Sequence, residues 1–147
     1  MKTIAFLFII LLSILIIIPV GTQSVLANSF IKHKPTFKVL SSPFIDKIAL
    51  NNTINYWHQY GFELQKTDKD ADVLVKFSNY CYGDMMGTYN TTAKLITVYT
   101  GCNTHQYNEV AVTRTTEHEF GHFLGFDHYS DPSVMDPFID WRTIYHS

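Results

Sequence analysis

The chain has 147 residues, 46% of them hydrophobic, with 11 Lys+Arg against 13 Asp+Glu and a formal net charge of −2. That balance argues against a nucleic-acid partner, which wants a basic face. The length suits one compact domain behind an export segment, with no large accessory domain expected.

Residues 1–27 read as a signal peptide. Lys2 supplies the positive start, Ile4 to Ile18 is apolar except for Ser13, and Pro19 and Gly21 end the run. Val25-Leu26-Ala27 suits a signal peptidase, so the expected division is a signal over 1–27 and a single domain over 28–147, secreted and with no membrane partner after cleavage. The apolar run falls short of the ~20 residues that span a bilayer. An uncleaved anchor, giving a membrane-tethered form, is the alternative. Removing the segment takes away Lys2 and no acid, leaving ten bases against thirteen acids. An exported chain with two cysteines, Cys81 and Cys102, is expected to pair them. Closing that loop stabilises by roughly 3 kcal/mol in the chain-entropy picture; two free thiols are the alternative.

Thr36 to Leu40 alternates polar and apolar residues and predicts a strand. Ser42-Pro43 offers an N-cap hydroxyl and a first-turn proline for a helix running to about Tyr60, with Leu50, Ile54 and Trp57 as its core stripe and Gly61 as its stop. Phe62 to Lys66 alternates and predicts a second strand, and Asp68 to Asp70 make a turn. Val73, Val75 and Phe77 mark a third strand. Met85 to Asn90 and Lys94 to Thr100, with a turn near Thr91-Thr92, predict a hairpin. Asn108 is placed to cap a helix reaching about Leu124, with Phe120 and Leu124 on its buried side.

Within that last helix stands His118-Glu119-Phe120-Gly121-His122, continued to Gly125 and His128. His118 and His122 lie one turn apart on one helix face, where two neutral imidazoles can share a Zn²⁺ ion. Glu119 is placed to reach a water at that ion. Gly125 can take φ > 0 and end the helix, so that His128 returns as a third ligand. Three protein nitrogens leave one coordination position open, the mark of a catalytic rather than a structural zinc.

The string H-E-x-x-H-x-x-G-x-x-H, with Met135 seven residues beyond His128, resembles the metzincin metallopeptidases. Ser133-Val134-Met135-Asp136-Pro137 is most similar to the matrixin, or matrix-metalloproteinase-like, branch, and Ala71 to Phe77 looks like its third strand. Asp136 departs from the Tyr many matrixins carry. The resemblance implies an α+β fold of the zincin type: a twisted mixed sheet, two main helices and a C-terminal subdomain reduced here to Phe138–Ser147. It implies a zinc-dependent endopeptidase with one catalytic Zn²⁺ on His118, His122 and His128, Glu119 as general base, and Gly125 and Met135 as structural residues of the site. It further implies an extended peptide or protein substrate paired along Met86, Gly87, Thr88 and Tyr89, beside a pocket walled by Pro137 and Phe138. A monomer is expected. No propeptide cysteine is present to hold the site latent. Residues 78–93 contain one Asp and no His, so neither a second zinc nor a calcium cage is expected there. A zinc-binding domain of the same fold without turnover is the alternative function.

Overall fold

The computed structural model describes residues 34–41, 44–80, 83, 85–102 and 105–137. Its elements follow the order expected: strand β1 (Thr36–Ser41), helix α1 (Phe44–Gln59), strands β2 (Gln65–Lys66), β3 (Val73–Ser78), β4 (Gly87–Asn90) and β5 (Leu95–Tyr99), a small hairpin of β6 (Gly101–Cys102) and β7 (His105–Gln106), then helix α2 (Glu109–Phe123). A 3₁₀ turn at Ser133–Met135 follows. The fold is α+β.

The five-stranded sheet has the order β2-β1-β3-β5-β4. β2, β1, β3 and β5 run parallel, and β4 alone is antiparallel, paired to β5 through Gly87↔Val98 and Asn90↔Leu95. β4 is therefore an edge strand whose outer hydrogen-bonding side has no sheet neighbour among the described residues. Side chains alternate across each strand. Phe37, Val73, Val75, Phe77, Ile96 and Val98 are buried, against Leu50 and Trp57 of α1 and Ala111, Val112 and Phe120 of α2.

The strand expected over Phe62–Lys66 is shorter than its alternation suggested. Phe62 and Leu64 are buried as anticipated, but the Phe62 amide donates to Trp57 O at 3.0 Å, closing the end of α1. That leaves Gln65 and Lys66 to pair with β1. The Ser42-Pro43 cap, the signal segment, Phe138 and the C-terminal tail lie outside the described residues, as does Cys81 of the expected disulfide. Among the described residues no helix is long and apolar enough to cross a membrane.

One core group works against the fold. Asp46, in the first turn of α1, is wholly buried, and among the described residues neither carboxylate oxygen has a hydrogen-bond partner. Burial pushes its pKa up to about 6 from 3.8. A raised folded-state value means that stability is full below about pH 4 and declines as pH rises through about 6, where the unfolded chain ionises more readily than the folded one. Asp46→Asn is therefore expected to stabilise the protein at pH 7–8 by about 2–3 kcal/mol relative to its effect near pH 4. Urea unfolding at the two pH values checks this; an equal effect at both would contradict it.

Candidate metal centre

α2 begins at Asn108, whose side-chain oxygen accepts from the Ala111 amide at 2.8 Å. The helix is buried on most sides from Thr115 to Gly121. Phe120 meets Phe37 of β1 edge to face, with ring centres 5.3 Å apart, and this seats α2 on the sheet. The opposite helical face carries His118, Glu119 and His122 toward a cavity of about 450 Å³.

The helix stops where the sequence said it would. Gly125 has φ +93°, and the Phe126 amide reaches back to Gly121 O at 2.9 Å. This six-residue closure turns the chain through nearly its own direction. His128 then lies opposite the two helical histidines, with its Nε2 3.2 Å from His118 Nε2 and 3.2 Å from His122 Nε2.

The outer ring nitrogens explain why the inner ones are bare. His118 Nδ1 is 2.8 Å from Val134 O, and His122 Nδ1 is 2.9 Å from Phe126 O. A carbonyl only accepts, so each Nδ1 carries the proton and each Nε2 keeps its lone pair. Three Nε2 atoms thus converge, and at least the two on the helix offer a lone pair to the space between them. A tetrahedral ion with bonds of about 2.0–2.1 Å places neighbouring nitrogens roughly 3.3 Å apart, which is close to the observed separations. The three-histidine group can hold a metal ion, and backbone carbonyls fix two of its rings. Burial, first of all, keeps the pKa of His118 and of His122 below the ordinary imidazole value, which favours the neutral, ligating form.

Met135 is fully buried, with its side chain against Gly121 of α2. Its carbonyl accepts from the Tyr129 amide at 3.1 Å, so the 3₁₀ turn is tied to the segment just past His128. The contact that positions it was not singled out in the sequence. A Cβ at Gly121 would run into Met135 Sδ and come within 3.0 Å of Trp57 Cζ2. A glycine inside a helix is unfavourable by itself and signals a close approach, so Gly121 was the available clue.

Glu119 is 6% exposed and lies under β4. A Cβ at Gly87 would stand 2.7 Å from Glu119 Oε1 and 2.6 Å from Thr115 Cγ2, so only glycine lets the edge strand cross the carboxyl at this height. Desolvation by burial pushes the Glu119 pKa up to about 8.

The cavity joins these parts. Met85 to Tyr89 form one wall, Thr115, His118, Glu119 and His122 the floor, and His128, Asp136 and Pro137 the opposite side. The expected strand residues Met86, Gly87, Thr88 and Tyr89 all line it, Met86 buried and the other three half-buried. Pro137 also lines it; Phe138 lies outside the described residues.

The fold is α+β: a mixed sheet with one antiparallel edge strand, a helix bearing two of the three converging histidines, a glycine turn after it and a buried Met135 on the 3₁₀ turn that follows. No protein-family model matches the chain, and no curated protein matches it in sequence. Among solved structures, that of myroilysin is similar with a TM-score of 0.47 and 19% identity over 64% of this chain. The match covers 48% of the myroilysin chain, so this chain spans about half of that length. The chemistry below rests on the atoms of this site.

Proposed function

We propose that the protein is a secreted zinc-dependent endopeptidase of the metzincin type, nearest the matrixin branch. The convergence of three Nε2 atoms, two of them with their lone pair turned inward, beside a buried carboxyl carries this reading. A set of three imidazoles suits zinc. His118, His122 and His128 hold the ion, which when bound supplies Lewis acidity to the scissile carbonyl and to the attacking water. Glu119 takes the proton from that water and delivers it to the leaving amine. Burial raises the pKa of this carboxyl, and a bound cation would favour the carboxylate form that accepts the proton. The free edge of β4 binds the substrate backbone as an added antiparallel strand, and Gly87 keeps the strand close to Glu119. The signal over 1–27, the Cys81–Cys102 disulfide and the monomeric state belong to the same proposal.

Metal removal tests it. Chelation is expected to abolish cleavage of a denatured protein, and one equivalent of Zn²⁺ to restore it. Cleavage that survives with no metal in the sample, measured by elemental analysis, would rule the reading out. So would inactivity of the zinc-loaded chain on denatured protein and on a broad peptide library, which favours a zinc-binding domain without turnover.

A further inference from the structure

Charge is distributed unevenly along this chain. From Thr115 to Trp141 there are six acids, Glu117, Glu119, Asp127, Asp131, Asp136 and Asp140, and no Lys or Arg. The remainder holds seven acids against eleven bases. The segment that builds the metal centre is thus the acidic part of a chain that is otherwise basic.

The cavity concentrates this asymmetry on one side. Its β4 wall, Met85 to Tyr89, has no charged residue. Apart from the histidines, the charged groups among its described lining residues are Glu119 and Asp136. Glu119 is buried beneath β4, whereas Asp136 is exposed beside Pro137. Asp136 lines the same cavity as His118 and His128, which places that carboxylate near the reacting centre. Glu117 is committed elsewhere, to Arg114 at 3.0 Å. Asp136 has an interaction within the protein as well; the charge it presents at the cavity wall is what a substrate meets. Met85, Met86, Tyr89 and Pro137, which line the same cavity, are apolar in body. A largely apolar cavity with an exposed carboxylate on its wall can accept the aliphatic stem of Lys or Arg and leave the charged head at that carboxylate.

We infer that Asp136 selects peptides with a Lys or Arg beside the scissile bond, on the His118 side of the cleft. This rests on the peptidase reading above and names its substrate class. Neutral side chains of similar length are cleaved less well, and acidic ones least.

The test compares peptides identical except for Lys, Arg, norleucine or Glu at each position flanking the cleaved bond, with zinc-loaded wild type, Asp136→Asn and Asp136→Lys. Wild type is expected to prefer Lys over norleucine by about 3- to 10-fold in kcat/KM, the scale of a partly exposed ion pair. Asp136→Asn removes the preference, Asp136→Lys turns it toward Glu, and 1 M salt weakens it in wild type. Thermal unfolding and zinc content confirm that each variant is folded and loaded. A parallel arm measures binding of the labelled peptides to zinc-loaded Glu119→Gln, with and without Asp136→Asn. Cleavage with the same selectivity in all three proteins overturns the inference and leaves the peptidase reading standing. Absence of cleavage by wild type overturns the peptidase reading; the binding arm then decides whether Asp136 selects cationic chains. Equal binding of Lys and norleucine peptides there overturns the selectivity as well.

Discussion

Under the proposed peptidase function, Glu119→Gln is expected to lower kcat for peptide hydrolysis by about 10²- to 10⁴-fold, the usual share of a positioned general base. The amide keeps the shape of the side chain under Gly87 and Thr115 but cannot take a proton from water. Zinc content should remain at one ion per chain, because none of the three converging nitrogens belongs to Glu119. Stability should hold or rise slightly at neutral pH, since burial already penalises the carboxylate. Stopped-time cleavage assays, elemental analysis and thermal unfolding on the same sample separate these effects. Activity within tenfold of wild type at full zinc loading would falsify the assignment of Glu119 as base.

The largest expected stability loss comes from a residue that does not line the cavity. Trp57→Ala should destabilise the fold by about 3–5 kcal/mol, as for other buried aromatic deletions. Trp57 is fully buried, its Nε1 donates to Glu117 O at 3.0 Å, and its ring stacks on Phe126 at 5.2 Å. It is also the neighbour that, with Met135, requires Gly121. Phe126 supplies the carbonyl that orients His122, so metal affinity should fall together with stability, by about 10- to 100-fold if the ring loses that partner. Trp57→Phe keeps most of the contact area and should lose about 1 kcal/mol through the missing hydrogen bond. Denaturant unfolding of metal-free protein, with zinc titration of each variant, checks both effects. A Trp57→Ala protein with wild-type stability would contradict this account of how α1 supports the site.

What could be read along the chain was set by short-range rules. The offsets from His118 to His122, Gly125 and His128 lie within three helical turns, where backbone geometry leaves few choices. Asn108, Gly61 and the alternation of β3 and β5 are local in the same sense, and each stands as expected. Contacts between distant segments were not readable. Nothing in Phe62 to Lys66 announces that the end of α1 will take the Phe62 amide. The polar Asp46 gave no sign of complete burial.

The sequence by itself determined the three-nitrogen donor set, the adjacent carboxyl and the α+β order of elements, because periodicity and turn chemistry act over a few residues. Only the tertiary structure decided that Gly87 would lie over Glu119, that Gly121 would admit Met135 and that Asp136 would face the cavity. Those pairings join segments 14 to 32 residues apart. They exist only once the sheet and two helices are packed, when steric fit chooses among partners that local rules leave equivalent.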